Sequence, residues 1–100
     1  MYILIPMDFC SKEEACIVKI NDVKNWAQIS LEEGEVVEIS FSEDKDGFEN
    51  FSEVLIVIDD NEYVWPFIEL GMMVLVAHTQ RSIDEIMEAF LFRELNEMAY

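Results

Sequence analysis

Apolar and polar positions along the chain sort it into a small set of elements. Two runs show no alternation, Val54-Leu55-Ile56-Val57-Ile58 and residues 72–77. An unbroken, mostly β-branched run suits a strand buried on both faces, because a strand with one wet face alternates. Asp59-Asp60-Asn61-Glu62 breaks the first run. A short helix is then predicted over 64–70, with Pro66 in the first turn, where its missing N–H has no helical partner to lose. Gly71 stands where a helix ends in a left-handed residue. Strand, helix and strand make a βαβ unit, so the two strands are predicted parallel and the crossover right-handed.

Upstream, residues 2–7 read as a first strand, with Pro6 near its end because proline gives the ladder no N–H. Residues 11–15 can start a helical turn, and 16–20 are apolar enough for either a strand or a buried loop. Residues 26–31 and 36–41 alternate as strands do. Between them, Glu32-Glu33-Gly34-Glu35 predicts a three- to four-residue hairpin loop and an antiparallel pair. Residues 42–50 are polar and acidic with Gly47 among them, which predicts a loop or a very short helix. Ser82-Ile83-Asp84-Glu85 is a capping box. Ile83, Ile86, Met87, Phe90 and Leu91, followed by Leu95 and Met98, recur at helical spacing, so one helix is predicted to run to between Arg93 and Met98. The order predicts one α/β domain over 1–100, a mixed five-stranded sheet with helices on its faces and its first and fourth strands as parallel neighbours.

Composition narrows the partners more than the fold. A hydrophobic share of 52% is ample for a core, so the chain is not a disordered acidic tail. A chain of this length can bury roughly 65% of its unfolded surface. The net charge of −16, with only 6 Lys and Arg, argues against phosphate backbones and anionic membranes. A basic protein or a cation fits such a surface. No run reaches the ~18 apolar residues a bilayer span needs, and the start of the chain has no basic region of a secretory signal. Two cysteines in a domain with this core require no disulfide, so a cytoplasmic protein with free thiols is expected.

Candidate chemistry is sparse. Cys10 and Cys16 could hold a metal or cluster at the sheet edge, joined by His78 at the carboxyl end of a buried strand. Their spacing matches no zinc or iron-sulfur signature, and free cysteine also serves as a small hydrophobe. Met72, Met73 and Met87 offer soft sulfur but suit core filling. Parallel first and fourth strands would bring Asp8 and Asp59 to one edge, near Asp60 and Glu62, where carboxylates could bind divalent metal for phosphodiester cleavage. The same acids suit a helix dipole. Tyr63, Trp65, Phe67 and Phe92 could form an acid-rimmed docking patch, or a homodimer face, or close the core beneath the helices.

The opening Tyr2-Ile3-Leu4-Ile5-Pro6-Met7-Asp8 resembles that of the dinitrogenase iron-molybdenum cofactor biosynthesis family. So do Glu33-Gly34-Glu35-Val36-Val37-Glu38, the stretch 54–59, Glu69-Leu70-Gly71 and residues 82–90. The resemblance covers most of the chain as pattern and element order. It implies a ribonuclease H-like fold and the binding or carriage of iron-sulfur-type metalloclusters without catalysis. Three stretches depart from the family pattern. Lys19-Ile20-Asn21-Asp22 stands for a His-Phe-Gly-Arg-like stretch, Asp44-Lys45-Asp46-Gly47-Phe48 for a His- and Gly-rich loop, and Asp59-Asp60-Asn61-Glu62 for a Gly-rich turn. Carboxylates at such a turn repel an anionic cluster that bare N–H groups would attract. The resemblance thus implies a small non-catalytic accessory-type protein, either a carrier using Cys10, Cys16 and His78 or a descendant with an eroded site. The alternative is an acidic protein-interaction module without cofactor, monomeric or a homodimer.

Overall fold

In the computed structural model, which describes residues 1–98, Tyr2–Met7 forms strand β1 and Asn25–Glu32 forms β2, paired antiparallel along their length. Glu35–Ser42 is β3, the antiparallel hairpin partner of β2. The loop joining them is two residues, shorter than expected. Glu33 and Gly34 both take positive φ, 53° and 80°, the backbone whose twist matches a tight hairpin. Val54–Val57 is β4, parallel to β1, and Met73–Val76 is β5, parallel to β4. Helix α1, Trp65–Glu69, joins these last two, with Pro66 in its first turn and Gly71 at φ 88° beyond its end. Helix α2 is Ile83–Leu91.

Strand alternation assigns the two faces. Ile3, Ile5, Met7, Val54 and Ile56 pack in one cluster with Ile83, Ile86 and Met87 of α2. Leu4, Leu55, Val57, Val74 and Val76 pack in the other with Val64 and Phe67. The helices therefore cover opposite faces, and β4, walled by both, is buried at all four positions.

The sheet has six strands, not five, in the order β3-β2-β1-β4-β5-β6. The sixth, β6, is Asn96–Glu97, antiparallel to β5. It lies where the helical stripe was expected to continue. Helix α2 stops early because Arg93 turns left-handed at φ 58°, while Glu94 N–H donates to Ala89 C=O and Arg93 N–H to Phe90 C=O. Those two bonds satisfy the last helical carbonyls and reverse the chain, usually a glycine's task. Leu95 then packs partly on the first cluster and Met98 enters the second.

Residues 16–20 are a loop with isolated bridges, Met7 to Ile17 and Cys16 to Ser82, followed by a 3-10 turn at Ile20–Asp22. The 43–53 connection is a loop, pinned where the buried Gln28 amide donates to Asn50 C=O and Ser52 Oγ. Among the described residues, no helix is long and apolar enough to cross a membrane.

The capping box at Ser82 is complete. Ser82 N–H, then Arg81 N–H and the Ser82 hydroxyl, donate to Glu85, which holds its carboxyl below the ordinary carboxylate range. A lowered folded pKa adds stability above the unfolded value of about 4.3, lost as pH falls through the folded value. In a 13C carboxyl titration Glu85 is expected to have a midpoint below the ordinary glutamate value of about 4.3. Ser82→Ala should move it back up, and an unmoved midpoint would deny the box its electrostatic role.

Candidate functional site

The chain leaves β1 toward β2 and β3 but leaves β4 toward β5 and β6, so the loops after β1 and β4 diverge at their carboxyl ends. A crevice opens at such a point in an open α/β sheet. Here it is a cavity of about 700 Å³, lined by residues of the 19–23, 43–45 and 59–63 loops and the start of α1. That volume is in the range that takes small-molecule ligands.

Its floor is aromatic. Trp26 of β2 and Phe67 of α1 are buried, with ring centroids 5.8 Å apart and planes tilted by 44°. The two rings come from elements 41 positions apart in sequence, brought together because both face the second core cluster.

Its rim is charged. Glu62 clamps the two diverging loops: one carboxylate oxygen accepts from Ile20 N–H and the other from Ile58 N–H at 2.9 Å. Asp59 closes its own turn by accepting from Asn61 N–H at 2.9 Å, and its second oxygen lies 3.8 Å from Lys19 Nζ. Asp44 accepts from Asp46 N–H at 3.0 Å. Lys45 reaches across so that its ammonium stands 5.8 Å from the Phe67 ring centre and 3.4 Å from Asp46.

The three candidate cluster ligands, Cys10, Cys16 and His78, lie elsewhere. Cys10 is exposed and Cys16 half-buried, both free thiols on the loop after β1. Cys16 Sγ lies 3.9 Å from Glu14 C=O, and its backbone is bridged to Ser82. His78, exposed after β5, sits between Asp60 at 3.5 Å and Asn96 at 3.3 Å. Among the described residues, no three His, Cys, Asp or Glu side chains are arranged to hold a metal ion. A thiolate-held cluster needs about four ligands; two thiols and an imidazole in these settings do not supply that set.

Asp8 and Asp59 do follow parallel neighbouring strands, but each carboxylate is engaged locally. Asp8 accepts from Cys16 N–H at 2.8 Å and its own N–H donates to Cys16 C=O, closing the 8–16 loop. The aromatic set divides: Phe67 is core and crevice floor, whereas Tyr63, Trp65 and Phe92 are exposed. Trp26, Lys45 and the clamping role of Glu62 went unseen in the sequence. The Glu62 to Ile20 bond spans 42 positions, and no local pattern marks such a partner.

No family model matches the chain, and no curated protein does. Solved structures share its fold. A protein from Methanocaldococcus jannaschii provisionally described as a dinitrogenase superposes with a TM-score of 0.78 at 17% identity, covering 99% of this chain and 95% of that one. The crystal structure of PH0822 gives 0.76 at 16% identity, covering 97% and 96%. A Thermotoga protein provisionally described as NifB, of the DUF35 family, gives 0.67 at 16% identity, covering 96% and 91%. These likenesses establish a common architecture over nearly the whole chain.

Proposed function

We propose that this chain is a small, non-catalytic binding protein of the nitrogenase-cofactor accessory type, whose seat is the crevice between β1 and β4. One observation carries this reading. The three stretches that depart from the family pattern, 19–22, 44–48 and 59–62, each contribute to the wall of that one crevice, although the chain separates them widely. Their convergence fits a binding site that has kept its place and changed its chemistry. Two fold neighbours named for nitrogenase-related proteins are consistent with that descent. The order β3-β2-β1-β4-β5, with β2 antiparallel, supports the ribonuclease H-like reading, with β6 appended.

The donors argue against a thiolate-held cluster as cargo. The crevice wall carries Glu43, Asp44, Asp59 and Glu62 against Lys19 and Lys45, and no thiol. An anionic cluster would meet net negative charge there. A protein partner, basic rather than acidic, suits both the rim and the −16 net charge.

Anaerobic reconstitution with iron and sulfide, followed by metal analysis and absorption spectroscopy, tests this. Substoichiometric iron without charge-transfer bands, from a still folded protein, is the expected result. Stoichiometric iron that is lost in Cys10→Ala/Cys16→Ala would overturn the reading and restore the cluster carrier.

A further inference from the structure

The crevice already holds a cation of the protein's own. Lys45 Nζ, 5.8 Å from the centre of the Phe67 ring, is within cation-π reach. Its stem is carried by a loop whose carboxylates, Asp44 and Asp46, flank it in sequence, and Asp59 stands on the facing loop. The cavity of about 700 Å³ is large enough for a drug-sized ligand, far more than one lysine side chain requires.

Resting on the crevice as binding seat, we infer that its occupant is an arginine side chain presented by an extended segment of a basic protein partner, and that Lys45 is the internal group it displaces. Each feature of the seat has its counterpart in that side chain. A guanidinium stacks on aromatic faces, here the tilted pair Trp26 and Phe67, and pairs with two carboxylate oxygens at once. Asp44 and Asp59 each commit Oδ1 to a backbone N–H of their own turn. The second oxygen of Asp59 stands 3.8 Å from Lys19 Nζ, beyond hydrogen-bond distance. The methylene stem suits the apolar wall of Ile20, Val23 and Pro66. An anion would meet four carboxylates, and a neutral ligand leaves the seated ammonium without a purpose. The field of the whole chain steers basic segments toward such a site.

The test is a 15N NMR titration of the full chain with an acetylated, amidated peptide of alternating arginine and glycine, and with the same peptide carrying neutral citrulline for arginine. Shifts are expected to concentrate in residues 19–23, 43–46 and 59–63, with the citrulline peptide binding at least about tenfold more weakly. Lys45→Met keeps the stem and removes the competing charge, so it should tighten binding about three- to tenfold. Asp44→Asn/Asp59→Asn should weaken it about tenfold. Equal binding of the citrulline peptide would overturn the inference, as would shifts spread over acids outside the crevice, or weaker binding to Lys45→Met. A lysine peptide that binds as well as the arginine peptide would overturn the choice of guanidinium. The neutral aromatic p-cresol separates the two levels. If it shifts the crevice and the arginine peptide does not, the arginine assignment falls and the seat stands; if neither shifts it, both fall.

Discussion

Ile56→Ala is expected to lower the unfolding free energy by about 3–4 kcal/mol, within the range measured for truncating a fully buried branched side chain. Ile56 has no exposed surface and lies mid-strand in β4, opposite Leu75 of β5. Its side chain belongs to the cluster in which Ile3 and Ile5 of β1 meet Ile83 and Ile86 of α2. Walls contributed by three elements cannot all collapse onto the vacated space, so a cavity cost adds to the lost transfer free energy. A domain of this size is held by about 5–15 kcal/mol, so a large share of the total goes. The melting temperature should fall by about 15–25 °C. Val37→Ala, on the exposed edge strand β3, should change stability by no more than about 0.5 kcal/mol. Urea and thermal unfolding of both variants decide the matter. Equal losses would mean that the two clusters are not the core.

Glu62→Ala is expected to cost about 2–3 kcal/mol, and to act on the crevice before the core. The substitution strips the acceptor from Ile20 N–H and Ile58 N–H together, two partly buried donors bonded to a charged group. Glu62→Gln should cost about half as much, because one carbonyl oxygen remains while the amide NH2 turns a donor toward the other N–H. Asp60→Ala, two residues away but exposed, with His78 3.5 Å from its carboxylate, should fall within about 0.5 kcal/mol. Amide hydrogen exchange gives the sharper readout. Ile20 and Ile58 should lose protection in Glu62→Ala while Ile5 and Ile56 keep theirs at matched global stability. Unchanged exchange at Ile20 and Ile58 would show that water or another group replaces the carboxylate.

Much of the architecture was legible because its causes are local. The unbroken run at 54–58 announced a strand with two dry faces, and β4 is buried throughout. Ser82 and Glu85 announced a helix start by reciprocal bonds within one turn. Gly71 announced a helix end that needs positive φ. One local signal misled: the unbroken run 72–77 suggested two dry faces, but Met73 of β5 is exposed and Leu75 half-buried, on the face that α1 does not cover. The other errors arose where local signals were silent. A helix end built on Arg93 carries no glycine to mark it, so Leu95 and Met98 read as more of the same stripe. Strand β6 is two residues long and exists because β5 offers it an open edge.

The site divides the same way. From the residues alone came its neighbourhood, the carboxyl ends of the parallel strands; the stretches 19–22, 44–48 and 59–62 drew notice only through the resemblance to a family pattern. Cys10, Cys16 and His78 drew attention as reactive side chains, yet chemical type says nothing of where a loop carries it. By itself the sequence determined strands β1 to β5, the starts of both helices and the helix-covered faces, since period and capping act within a few residues. Only the tertiary structure decided that Trp26 meets Phe67, that Glu62 joins the loops after β1 and β4, and that Lys45 lies across the floor. Those contacts join residues about 20 to 40 positions apart, and sheet topology, not local pattern, chooses which distant loops share a wall.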